Sequence, residues 1–158
     1  MTVWVKCRFI SPKSNVFTSV GLGMSTAAKA FSCEIPLRWG DMDAFGHVNN
    51  TSYFRYFEEA RFLWMLEQEL SLKAESFPVV VTLGSTFLKP LFYPDTLRIE
   101  LKLSEPGRSS FMVHYYVYSH AQGELVNEGY SKIVWVSATD GKSVPLPDKV
   151  KALFAAAP

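Results

Sequence analysis

The chain has 158 residues, 48% of them hydrophobic and 20% charged, with a formal net charge of +1. That length carries one domain with a real core and not two ordinary ones, and so balanced a charge offers no basic field for nucleic acid. No run of about 18 apolar residues occurs, so no membrane-crossing helix is expected.

Residues 1–33 hold Lys6, Arg8, Lys13 and Lys29 with no acid, whereas all 15 acids fall from Glu34 onward. The segment lacks the apolar stretch of about 7–15 residues that a secretory signal needs. Its Ser-containing, acid-poor composition is that of a transit peptide without the amphipathic order, and Met24 offers an alternative natural start. Residues 1–30 are therefore expected to be a peripheral or partly disordered N-terminal extension, and 31–158 the folded domain. Cys7 and Cys33 form no metal or redox spacing. Two thiols without activating neighbours predict inert side chains in a reducing, cytoplasmic setting.

Phe31 to Trp39 reads as a short strand, with Pro36 marking an edge or a bulge. A polar loop follows, and Asn50, Thr51 or Ser52 can cap the helix beyond it. Tyr53 to Leu66 contains no Gly or Pro. Tyr53, Phe57, Ala60 and Trp64 share a face at i, i+4, i+7 and i+11, flanked by Tyr56 and Leu63, which predicts a centrally buried helix. Arg55 and Glu59 are spaced to pair on the opposite side.

After Pro78 the pattern turns to strands: Val79–Leu83 and Thr86–Leu88 with an interruption at Gly84, then a turn at Pro94-Asp95. Leu97, Ile99, Leu101 and Leu103 alternate with Arg98, Glu100, Lys102 and Ser104, the period of a half-buried strand. Glu105-Pro106-Gly107 turns into a strand from Phe111 to Tyr118. Gln122-Gly123 turns into a last strand centred on Tyr130 to Val136, and residues 147–156 suggest a short terminal helix. Tight turns make the late strands antiparallel. The fold class is therefore α+β, an antiparallel sheet of about five strands wrapped around one long central helix. Its open edges predict a homodimer or homotetramer.

The densest polar cluster is Arg38-Trp39-Gly40-Asp41-Met42-Asp43-Ala44-Phe45-Gly46-His47-Val48-Asn49-Asn50. Polar groups so concentrated at a strand-to-helix junction are costly unless they serve a site. Asp41-x-Asp43 with His47 is the spacing of a weak metal motif, but hard cations want more oxygen ligands, so no metal is assigned. Asp43 is either a loop residue bonding its own backbone or a carboxylate facing a reaction centre at a helix start, where N–H groups stabilise an oxyanion. His47 is a loop histidine held by Asp43 or an acid/base group. Gly46 supplies the bend that frees backbone N–H groups. Asn49 and Asn50 suit caps and turns.

Taken with Tyr53, Tyr56 and Glu59-Ala60-Arg61, the run from Trp39 to Asn50 resembles the acyl-CoA thioesterases of the hotdog fold. It is closest to the 4-hydroxybenzoyl-CoA thioesterase group and its relatives acting on fatty acyl-CoA. The resemblance covers about residues 32–140. It implies that Asp43 is the catalytic carboxylate, as nucleophile or as base for water, supported by His47 and Asn50. It also implies substrate contacts from Gly46 and Tyr53, and oxyanion donors near Asn50 and near Phe77 to Val79 of a partner subunit. Gly107-Arg108-Ser109-Ser110 resembles the segment set near the coenzyme A phosphates, where Arg108 offers a bidentate fork aided by Ser109 and Ser110; Lys89 is a further phosphate candidate. No cofactor is implied. The benzoyl-type enzymes carry Pro-Ala-Gly after the aspartate, whereas Ala44-Phe45-Gly46-His47 stands here, which leans towards the broader acyl-CoA branch. Acyl-thioester hydration or dehydration, and a non-catalytic acyl-CoA-binding oligomer, are the alternatives.

Overall fold

The computed structural model describes residues 7–9, 31–70 and 75–154. In chain order these form β1 (Cys7–Phe9), β2 (Phe31–Pro36), a 3-10 turn (Trp39–Asp41), α1 (Ser52–Glu67), β3 (Ser76–Phe87), β4 (Thr96–Ser104), β5 (Ser110–Ser119), β6 (Glu124–Ser137) and α2 (Asp148–Ala152). The strands make one sheet in the order β1-β2-β4-β5-β6-β3, and every pairing is antiparallel. The expected peripheral extension over 1–30 lies outside the described residues except for β1. This strand brings the sheet to six, through pairing of Cys7 with Cys33 and Phe9 with Phe31.

The alternation read in β4 is realised: Leu97, Ile99, Leu101 and Leu103 are buried. Phe111, Val113, Tyr115 and Val117 of β5 join them, so the inner face of the sheet is apolar while Arg98 and Lys102 lie over Tyr118 and Tyr116 on the other. Alpha-helix α1 presses Tyr53, Tyr56, Phe57, Ala60 and Trp64 onto that inner face, and Phe57 stacks on Tyr115 with ring centroids 4.3 Å apart. Burial is one-sided, however. Phe62 and Leu66 are exposed within the protomer, so the apolar girdle of α1 covers more than its own sheet uses.

Three local readings are corrected. Gly84 does not interrupt a strand; β3 runs through it in register with Tyr130, and the irregularity falls instead between Val80 and Thr82. A Cβ at Gly84 would sit 2.5 Å from the tip of the exposed Tyr130 ring, so a larger residue there must displace that ring. Arg55 does not take Glu59, whose carboxylate pairs with Arg38. The helix start is not capped by the Thr51 side chain; Asn49 accepts the Thr51 N–H at 2.9 Å, and its carbonyl accepts from Ser52.

Gly129 marks the closest approach of helix and sheet. A Cβ there would lie 2.4 Å from two ring carbons of Phe57, a side chain with no exposure and no slack against Tyr115. Gly129→Ala is therefore expected to destabilise the fold by about 2 kcal/mol, or roughly 5 °C in Tm. Thermal unfolding of the variant checks this, and an unchanged Tm would show that α1 can shift to accommodate a methyl group.

Candidate active site

Residues 41–49 fold as a small closed loop whose stems are tied together. Met42 bridges Val48, the Asp43 N–H donates to the His47 carbonyl at 2.9 Å, and the Asn49 N–H donates to the Asp41 carbonyl at 2.8 Å. The turn is possible because Gly46 adopts φ of +83°, a region that penalises a Cβ. The Gly46 N–H donates to the Asp43 carbonyl at 3.1 Å, so this amide closes the turn itself. A third strut comes from Val48, whose N–H donates to the Leu91 carbonyl. That bond draws the chain after β3 against the loop.

The loop presents Asp43 beside the start of α1. One carboxylate oxygen accepts the Phe45 N–H at 2.8 Å, and the other lies 3.5 Å from Nδ1 of His47. Asp43, His47, Val48, Asn50 and Tyr53 line a cleft of about 340 Å³, completed by Phe87, Leu88, Lys89 and Pro90. Lys89 is paired across the rim with Glu124. The cleft thus joins a partly buried carboxylate, an imidazole, an amide and an apolar wall (the make-up of a site that binds an apolar group and acts on a polar one). Of the residues expected from sequence, Asp43, His47, Asn50, Tyr53 and Lys89 gather here, whereas Gly46 shapes the loop without lining the cleft. The wall from Phe87 to Pro90 was not anticipated as a whole, since it lies about forty positions downstream and carries only Lys89 as a chemical signal.

Arg108, Ser109 and Ser110 sit elsewhere in the protomer. Arg108 and Ser109 belong to the β4–β5 turn and Ser110 opens β5; the Arg108 carbonyl accepts from Leu146 and the Ser109 carbonyl from Trp135. Their neighbour Phe111 meets Trp64 near the far end of α1. The 16 residues of α1 separate that turn from Asp43 by about 24 Å at the α-helical rise. A second cleft, of about 350 Å³, opens between α1 and β3 and is lined by Arg61, Phe62, Met65, Phe77, Pro78 and Val80 among others. It is the more apolar of the two and contains neither Asp43 nor His47.

Asp41 and Asp43 part company. The Asp41 carboxylate is buried and accepts the Tyr56 hydroxyl, whereas that of Asp43 faces His47. Among the described residues, no group of three or more His, Cys, Asp or Glu could hold a metal ion, and no helix is long and apolar enough to cross a membrane.

Tyr53 is buried at 2% exposure, and that burial pushes its phenol up to about 12. It therefore remains a neutral hydroxyl wherever the protein works. A group whose pKa is higher folded than unfolded contributes stability that is fully present below the unfolded value, near 10, and lost as pH rises towards the folded one. The stability that Tyr53 contributes is therefore expected to fall away between pH 10 and 12. Urea unfolding across that window should show a shallower alkaline decline for Tyr53→Phe, and an identical slope would refute the assignment.

Comparison with known proteins agrees with this fold. The sequence model of the thioesterase-like superfamily matches residues 37–154. The solved structure of the PA2801 protein of Pseudomonas aeruginosa is 40% identical, with a TM-score of 0.75 over 78% of this chain and 97% of that one. The uncharacterized protein YsmA of Bacillus subtilis is 32% identical over 77% of this chain and 83% of its own. The long-chain acyl-CoA thioesterase FadM of Escherichia coli is 23% identical over 75% and 92%. With the family model spanning the loop, the helix and the whole late sheet, the chain belongs to the thioesterase-like superfamily and is an enzyme of its hotdog-fold thioesterases.

Proposed function

We propose that this protein hydrolyses an acyl-CoA thioester to the free acid and coenzyme A, with Asp43 as the reacting carboxylate. The observation that carries the reading is the placement of Asp43, 3.5 Å from His47, in a cleft that Asn50 and Tyr53 share at the start of α1. A thioester carbonyl is already electrophilic, so one carboxylate and preorganised N–H donors suffice without a Ser-His-Asp set or a cofactor. As nucleophile, Asp43 adds to the carbonyl carbon, the C–S bond breaks, and the thiolate leaves and takes up a proton; water then opens the mixed anhydride. As base, Asp43 takes a proton from the water that attacks directly. When water opens the anhydride at the Asp43 carbonyl, single turnover in H₂¹⁸O leaves label in Asp43, an outcome that the base route never gives.

The first-turn amides of α1 beyond Ser52, which the Thr51 side chain does not cap, serve as oxyanion donors in this reading, since Ser52 and Gly46 spend their N–H groups on the Asn49 and Asp43 carbonyls. His47 orients the carboxylate or protonates the departing thiolate. Lys89 and the apolar wall beside it receive the pantetheine and acyl segments. The protein acts as a homodimer or homotetramer in the cytoplasm, away from membranes and nucleic acid. Pairing two protomers antiparallel about a two-fold axis brings the partner's Arg108 turn to the same end as Asp43, where Arg108, Ser109 and Ser110 meet the coenzyme A phosphates. The likeness to a long-chain acyl-CoA thioesterase and the Ala-Phe-Gly-His sequence after Asp43 favour an aliphatic acyl group. A thiol-release screen across short, long and aromatic acyl-CoA substrates tests this reading; release from none of them would overturn it.

A further inference from the structure

The Asp43 loop is not held by its own bonds alone. Asp41, two residues before Asp43, lies 8% exposed in the 3-10 turn. Its carboxylate oxygen accepts the hydroxyl of Tyr56, fully buried on α1, and the Arg38 N–H at 3.3 Å. Its carbonyl accepts the N–H of Asn49, on the far stem of the loop, at 2.8 Å. Asn49 in turn fixes Thr51 at the head of α1. Arg38 closes the circuit from outside: its guanidinium lies 5.6 Å from the centre of the Tyr56 ring and pairs with Glu59, one helical turn further along α1. Both stems of the loop are thus referred to the helix whose first turn shares the cleft with Asp43.

We infer that Asp41 and Tyr56 form a positioning couple that holds Asp43 in its reactive placement against the start of α1. The inference rests on the proposed role of Asp43. A charge-assisted hydrogen bond between two buried groups is strong and directional, and burial, aided by Asp41, holds the Tyr56 phenol well above its ordinary range, so the bond persists across the working pH. Catalysis is sensitive to such support because displacement of a reacting group by about 1 Å costs on the order of a hundredfold in rate. Neither residue is placed in contact with substrate; both act through Asp43.

Tyr56→Phe removes one oxygen and keeps the ring that packs under α1. It is expected to lower kcat by about 10–100-fold with KM within about threefold, which is the signature of an interaction expressed in the transition state alone. Asp41→Asn, which keeps an acceptor for Tyr56, should retain more activity than Asp41→Ala. The deciding measurement is the cycle with Asp43→Asn. Where Tyr56 acts only through Asp43, the double variant is no slower than Asp43→Asn alone. Multiplicative losses in the double variant would overturn the couple, as would an unchanged kcat in Tyr56→Phe. A loss of kcat accounted for by the unfolded fraction, read from near-ultraviolet circular dichroism at the assay temperature, would overturn it too. Failure of the Asp43 reading appears separately, as near-normal turnover in the Asp43→Asn single variant.

Discussion

Asp43→Asn is expected to lower kcat for acyl-CoA hydrolysis by about a thousandfold, equivalent to about 4 kcal/mol of transition-state stabilisation, with little change in stability. The amide keeps the size of the carboxylate and retains an oxygen for the Phe45 N–H, so the loop keeps its internal bond. What disappears is the charge: an amide neither attacks a carbonyl carbon nor takes a proton from water at neutral pH. The pairing of Asp43 with His47 joins two partly exposed side chains, and such a pair contributes less than about 1 kcal/mol to folding. Activity and stability should therefore separate cleanly. Steady-state thiol release, set beside a thermal melt, gives both quantities from one preparation. Near-normal turnover would remove Asp43 from the reaction, and loss of turnover with an equal collapse of Tm would assign it to the fold.

Where the sequence was legible, the physics was local or periodic. The spacing of Tyr53, Phe57, Ala60 and Trp64 gave the buried face of α1 because a helix repeats every 3.6 residues, and the alternation in β4 gave its inner face for the analogous reason. The loop was legible because Asp43, Gly46, His47 and Asn50 are close in sequence and in space. The errors came from reading distant partners as near ones. Glu59 looked matched to Arg55 at i, i+4, yet its carboxylate found Arg38, 21 positions away. Gly84 looked like a break because nothing local disclosed the Tyr130 ring that lies against it. Strand β1 carries three residues and no alternation long enough to register. Asp41 read only as half of a weak metal spacing, since its bond to Tyr56 depends on how the loop folds back over α1.

Val81→Glu is expected to raise the dimer dissociation constant about a thousandfold, or about 4 kcal/mol, and to reduce acyl-CoA turnover with it. Strand β3 is an outer strand of the sheet, twelve residues long, with no charged side chain and not one residue buried in the protomer. Strands β4, β5 and β6 all bury part of their length. Phe77, Val80, Val81, Leu83 and Phe87 lie exposed along it, beside exposed Phe62 and Leu66 of α1. An edge that is long, apolar and uncharged is a template for another strand, and a second copy satisfies it with two-fold symmetry when β3 pairs with itself antiparallel. A two-fold axis at the middle of Ser76–Phe87 sets Val81 close to its own symmetry mate. Glutamate there places two like charges together and removes them from water, a cost of several kcal/mol. The protomer should tolerate the change, because Val81 is 54% exposed and falls at the register shift, outside the ladder with β6. Sedimentation equilibrium at micromolar concentration should then find a folded monomer for the variant and a dimer or tetramer for the parent. Because the phosphate contacts of Arg108 are expected from the partner, the monomer should lose turnover chiefly through a raised KM for acyl-CoA. A short pantetheine thioester lacking the nucleotide should show a smaller loss. A monomeric parent, or a variant that sediments unchanged, would place the subunit contact elsewhere than β3.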